Sequence, residues 1–368
     1  MGIRQAILQV MNDHTDVNEY FDALFDSLSD DGFVWGQPDK GEFNYAMNQL
    51  ASWCSSEKKL GVQGRTTAQS RSDLIKQIKE KVTAYPQVSF AGIYPTVYAI
   101  QLALRVRRPR CIDQGDTALC GAVAAVYLFA KNNPSEFVQF ALDLFFKGVG
   151  KFGGLTVEPS SSIRSNYRLR RNKIPWAFDY VVLVSLRQCT FMSDRIGVGA
   201  LRGADETTLP GEVSRWLTES GYDNVEDHTF FGKNQQGVVK QFSKFIGQSM
   251  HLPGSTSGRA VRTDRLGHAA QSLNAAEMAI ANGKLVILFA DGKIAQSLKD
   301  GNSDLMNAGK GPVALGHHHW TTVRRLSVQS NSVFIKVVTW GATYSGSFSL
   351  DAFLSRYGGY IAADPGNG

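Results

Sequence analysis

Residues 118–130, ALCGAVAAVYLFA, are apolar nearly all round a helical wheel. A helix with no polar face must be enclosed by the rest of its chain. The segment is far shorter than the roughly 20 residues that span a bilayer, as is the apolar run Leu285 to Ala290. The expectation is therefore a soluble protein folded around a buried central helix. Enough apolar material is present to enclose it, since 43% of residues are apolar and only 20% charged, and this balance excludes disorder, collagen-like repeats and coiled coil. A length of 368 residues suggests about two domains.

Around that helix the chain divides by pattern. Residues 1–85 read as a helical, polar N-terminal region. Phe43, Ala46, Met47, Leu50 and Trp53 recur at helical spacing, as do Leu74, Ile75, Ile78 and Val82. The polar stretch 55–72 between them reads as a linker. Residues 86–368 form the second region. A helix is expected over 135–146 after Asn133-Pro134, loop over 148–172, a strand or apolar helix over 176–188 and a short helix over 210–220. Residues 233–267, rich in Gly, Gln and Ser, read as a surface insertion. An Ala-rich helix over 272–282 precedes strands at 284–291, 319–328 and 332–340. Helices first and strands afterwards make the fold class α+β.

Thirty-nine Lys and Arg against 33 Asp and Glu leave a net charge of +6, too mild to specify nucleic acid as partner. The basic runs 105–110 and 168–173 read as solvated loops. Four cysteines, Cys54, Cys111, Cys120 and Cys189, lack paired zinc spacing and are expected to be free thiols. The first ten residues, MGIRQAILQV, carry no secretory signal pattern. Asp291-Gly292 and Asp300-Gly301 lack the order of a calcium loop, and Gly148 to Gly154 lacks the Lys of a phosphate loop. No cofactor or metal is expected.

Chemistry concentrates at Asp113-Gln114-Gly115-Asp116-Thr117-Ala118-Leu119-Cys120-Gly121. A thiol at the start of a helix sits beside unpaired backbone amides and the positive end of the helix dipole, which favours the thiolate nucleophile. Gln114, six residues upstream across a Gly-containing turn, can present its amide near that sulfur. With the Cys120 N–H it would form an oxyanion hole. A base would then come from GHHHWTTV, where His317, His318 and His319 open a strand. On an extended chain His318 points opposite to the other two.

These segments resemble the papain-like cysteine peptidases, in which an oxyanion Gln, a Gly and a nucleophilic Cys six positions after the Gln head the central helix. The resemblance implies a two-lobed fold, with a helical lobe carrying the Cys and an antiparallel β lobe carrying the His. It assigns Cys120 as nucleophile and Gln114 as oxyanion donor. A His directly before the hydrophobic strand favours His319 as general base and acid, with His317 and His318 as alternatives. The family's Asn, two residues before a Trp-Gly pair, falls on Val338, which cannot orient an imidazole. Either a Cys-His dyad suffices, or the orienting group comes from elsewhere, for which the sequence offers Asp351, Asn331 and Thr339.

Cys120 and His319 lie 199 residues apart, more than a minimal domain of this kind needs, so insertions such as 233–267 are expected. The implied activity is cleavage of a protein substrate. Deamidation or acyl transfer by the same Cys-His machinery, or a silent binding module, are the alternatives. The missing signal and disulfides resemble bacterial toxin or effector members of the family. These are delivered from the cytoplasm by specialised secretion and are paired with a cognate inhibitor. Residues 1–85 would then serve delivery, as an adaptor, or as an inhibitory segment.

Overall fold

The computed structural model describes residues 2–13, 19, 23–25, 28, 37–56, 67–84, 87–170, 173–174, 176–190, 208–229, 257–301 and 318–365. By its internal contacts the chain forms two compact units. The first comprises residues 1–117 and 126–190, the second 118–125 and 191–368. Residues 1–85 thus share the first unit with the residues that follow them.

The first unit is mainly helical. Its helices are α1 (Ile3–Asp13), α2 (Lys40–Ser56), α3 (Thr67–Ala84), α4 (Pro95–Arg107), the greater part of α5 (Cys120–Asn132) and α6 (Pro134–Lys147). Pro95 and Pro134 start α4 and α6 at positions where the missing N–H costs nothing. Gly148 closes α6 in the left-handed conformation, and a two-stranded hairpin follows, β1 (Gly150–Phe152) and β2 (Leu155–Val157). The sequence read this stretch as loop. α3 starts five residues before the expected helix, inside the expected linker.

Segment 176–188 resolves as helix, with one π-helical turn at Tyr180–Val184. Its Asp179 forms a fully buried ion pair with Arg105 of α4, through Nε at 3.2 Å and Nη2 at 2.5 Å. The Arg105 guanidinium lies over the rings of Phe25, Trp176 and Phe178. A buried charge needs such a partner. Burial still pushes the Asp179 carboxyl up to about 7, opposed by the charge and hydrogen bonds of Arg105. The core around it is aromatic. Tyr98 stacks on Phe145 at 4.0 Å, its hydroxyl donates to the Ala141 carbonyl, and Phe137 meets Phe178 edge-on.

The second unit is built on a six-stranded antiparallel sheet of order β3-β8-β4-β5-β6-β7. Its strands are β3 (Asp223–Asp227), β4 (Leu285–Asp291), β5 (His318–Val328), β6 (Ser332–Thr339), β7 (Ala342–Ser349) and β8 (Tyr357–Asp364). Its helices are α7 (Pro210–Glu219), α8 (Ser257–Ala281), α9 (Gly292–Asp300) and α10 (Leu350–Arg356). The helix expected over 272–282 begins fifteen residues earlier, so 257–267, assigned above to an insertion, is its first half. Residues 230–256 lie outside the described ones.

Strand alternation sorts the sheet's side chains onto two faces. On one, Val286, Leu288 and Ala290 of β4 join Val323, Ile335, Val337, Tyr360 and Ala362 in a core with Ala269 and Leu273 of α8, Leu298 of α9 and Phe353 of α10. On the other lie Ile287, Phe289, Trp320, Thr322, Val338 and Ile361, as the pairs Ile287↔Ile361, Phe289↔Trp320 and Thr322↔Val338 require. The hairpin from β6 to β7 turns on Trp340 and Gly341, with φ of +46° and +69°. Gly341 accepts that region freely. A bulky residue such as Trp340 does so only under constraint.

Candidate active site

Cys120 occupies the first position of α5 and is 6% exposed. The α5 ladder begins with the Val123 N–H donating to the Leu119 carbonyl, so the amides of the first turn ahead of Val123 have no partner within the helix. Immediately after the sulfur, Gly121 touches Thr208 so closely that an added Cβ would lie 2.5 Å from its Cγ2 and 2.7 Å from its Cβ. The glycine is required by this approach.

Thr208 is fully buried, and its carbonyl accepts the indole N–H of Trp320 at 2.9 Å. Trp320 packs on Phe289 at 4.5 Å, and Phe289 in turn stacks flat on the His318 ring, with centroids 4.6 Å apart and planes 4° from parallel. A continuous run of contacts within the second unit therefore leads from the residue after Cys120 to His318.

His319 faces the other way. It pairs with Ala290 of the helix-covered core. There its Nε2 lies 2.5 Å from Thr339 Oγ1 and its ring 4.6 Å from that of Trp340. Burial, with 5% of the residue exposed, pulls its pKa down to about 3. Desolvation is the cause, and it favours the neutral form of this imidazole. Trp340 packs against the His319 ring, and Lys299 lies 5.7 Å over its indole. His317 lies outside the described residues.

Register also locates the expected orienting groups. Val338 opposite Thr322 shares the face of Trp320 and His318, so the position where the resemblance expects Asn lies on the His318 face. Thr339, on the opposite face, serves His319. Asn331 sits in the turn after Val328, and its carbonyl accepts the N–H of Leu350, the residue before Asp351. Both candidates therefore lie at the far end of a strand of eleven residues, about 30 Å from its histidines.

In the first unit, residues 113–117 form a loop closed on itself. The Gln114 amide donates to the Thr117 carbonyl at 2.7 Å, the Thr117 hydroxyl donates to the Gln114 carbonyl at 2.6 Å, and the Gly115 N–H donates to Asp113 Oδ1. Gly115, at φ +57°, supplies the left-handed turn. The Asp113 N–H is held by the Asp179 carboxylate, which ties this loop to the Arg105 ion pair. A primary amide has two N–H donors, and the contact with Thr117 uses one of them.

All four cysteines are free. The Cys189 thiol is pushed up by burial, against the lowering effect of the Glu158 N–H that it accepts. Among the described residues, no group of three or more His, Cys, Asp or Glu is placed to hold a metal, and no helix is long and apolar enough to cross a membrane. Thr208 falls between the expected elements 176–188 and 210–220, in a stretch to which the sequence assigned no role, and Trp320 was expected only as a strand residue, so the contact joining the Cys120 turn to β5 was not legible in the sequence. No protein-family model, curated protein or solved structure matches the chain.

Proposed function

We propose that this chain is a thiol hydrolase of papain-like arrangement that attacks a carbonyl of a protein substrate with Cys120, using His318 as base and acid. The observation that carries the reading is the contact run from Gly121 through Thr208, Trp320 and Phe289 to His318, which puts this histidine on the face that meets the cysteine's helix turn. His319, favoured by the sequence, has its ring turned into the opposite core.

In the proposed reaction the His318 imidazole takes the Cys120 proton, and the thiolate adds to the carbonyl carbon. The Cys120 N–H meets the oxyanion, and the resemblance alone names Gln114 as the further donor. The imidazolium then protonates the leaving amine, and water releases the acyl group by the reverse sequence. The positive end of α5 favours the thiolate. A role as a delivered toxin or effector is part of the same proposal and rests on the resemblance alone.

A peptide library incubated with the protein, with products mapped by mass spectrometry, tests the reading. New termini that vanish with Cys120→Ala are expected. Conversion of Gln to Glu without new termini would instead identify a deamidase. No Cys120-dependent product of either kind would leave the binding module, which Val338 in the Asn position favours.

A further inference from the structure

We propose that Asp291 is the positioning carboxylate for His318, the role that Val338 cannot fill. This rests on the assignment of His318 above. Asp291 is the last residue of β4 and stands directly opposite His318, the first residue of β5, in the antiparallel ladder. Cross-strand partners share a face, and their Cβ atoms lie about 4.5–5.5 Å apart. The register therefore puts Asp291 on the Phe289 and Trp320 face, across the ladder from His318, on whose ring Phe289 stacks.

The carboxylate is itself fixed. Its Oδ1 accepts the Lys293 N–H as the N-cap of α9, and its Oδ2 accepts from Arg356 Nη1 at 2.7 Å, Asp291 and Arg356 each being 5% exposed. Two of the roughly four lone-pair sites of a carboxylate are thereby used, and the group cannot swing away from β5 without breaking both bonds. A negative charge held beside an imidazole favours its protonated form and orients its N–H. Among the described residues, the groups that meet the Asp291 carboxylate are the Arg356 guanidinium and the Lys293 backbone N–H. His319 faces the opposite core.

The proposal separates a positioning role from a purely structural one. As an N-cap and partner of Arg356, Asp291 would affect only stability. As the carboxylate of His318 it also sets the proton affinity of that ring. The ratio of iodoacetate to iodoacetamide alkylation rates at Cys120 reads this directly. The anionic reagent is drawn by the imidazolium and loses its advantage as the ring deprotonates.

In Asp291→Asn, which keeps a capping oxygen and a partner for Arg356, the fall in this ratio is expected to move down by about one pH unit, a tenfold loss of proton affinity. In Arg356→Gln, which leaves the carboxylate uncompensated, it is expected to move up. Each variant is checked for folding by circular dichroism, and either one alone carries the test. A midpoint unchanged from wild type, or moved in the same direction by both substitutions, overturns the proposal. If the wild-type ratio shows no fall at all, or the fall survives in His318→Gln, the assignment of His318 is what has failed.

Discussion

Substituting Gly121 by Ala bears on the joint between the Cys120 turn and the sheet. The added Cβ would meet Thr208 Cγ2 at 2.5 Å, its Cβ at 2.7 Å and its Oγ1 at 3.0 Å. Carbon atoms pack at about 3.5–4.0 Å, so one partner must move by about 1 Å. Thr208 is fully buried and its carbonyl holds the Trp320 indole at 2.9 Å. Retreat of Thr208 would stretch that bond beyond hydrogen-bonding range, and retreat of α5 would carry the Cys120 sulfur with it. Overpacking of this kind costs about 1–3 kcal/mol, more than the roughly 1 kcal/mol by which Ala exceeds Gly in helix propensity. A displacement of about 1 Å in a reacting group costs on the order of 100-fold in rate. Urea unfolding and the rate of Cys120 alkylation at pH 6 measure the two effects. Thr208→Gly, which removes all three contacting atoms, is expected to restore much of both in the double variant. A Gly121→Ala protein as stable and as reactive as wild type would refute the close approach, and so would a double variant no better than the single one.

Two further outcomes follow from buried charge. His319 has its pKa lowered from 6.5 to about 3, so unfolding takes up a proton between these values. Its contribution to stability is complete above pH 6.5 and falls by about 1.4 kcal/mol per pH unit below it. His319→Gln, which can still bond Thr339, should therefore unfold in acid at lower pH than wild type. Coincident acid-unfolding curves would show that His319 is not buried as a neutral ring. Asp179→Ala strands the Arg105 guanidinium and frees the Asp113 N–H. A loss of about 3–5 kcal/mol in urea unfolding is expected, together with faster hydrogen exchange at Asp113 and Gly115; a loss below 1 kcal/mol would contradict the ion pair.

Much of the framework was legible because the pattern was local. KLVILFAD is short, β-branched and apolar, and it forms β4. ALCGAVAAVYLFA has no polar face, and residues from Cys120 on form α5. Segment 176–188 was ambiguous because periodicity alone does not distinguish a short apolar helix from a strand. What decides it lies 74 residues away in sequence, in Arg105, whose buried charge meets Asp179. The first half of α8 was hidden by Gly258, Gly267 and its many polar residues, and its second half supplies the packing, through Ala269, Leu273 and Ala276.

The candidate site divides the same way. Cys120 and the Gln-Gly turn show in sequence because a helix start and a tight turn are local events. The choice among three adjacent histidines is not local, since alternation says only that neighbours point apart. The register of β5 against β4 and β6 assigns His318 and His319 their faces, with Phe289, Trp320 and Val338 on the side of His318 and Ala290 and Thr339 on the side of His319. Asp291, read in sequence only as half of an incomplete calcium loop, gains its meaning from the residue opposite it.

The reaction of Cys120 with iodoacetamide between pH 4 and 9, located by peptide mapping in wild type, His318→Gln and His319→Gln, tests the central claim most directly. Cys189, whose thiol is raised by burial, serves as the internal reference. In wild type, Cys120 should react rapidly well below the usual thiol pKa of about 8.5, with the advantage lost in His318→Gln and kept in His319→Gln. A Cys120 no faster than Cys189, or an advantage that disappears with His319 and survives without His318, would contradict the claim.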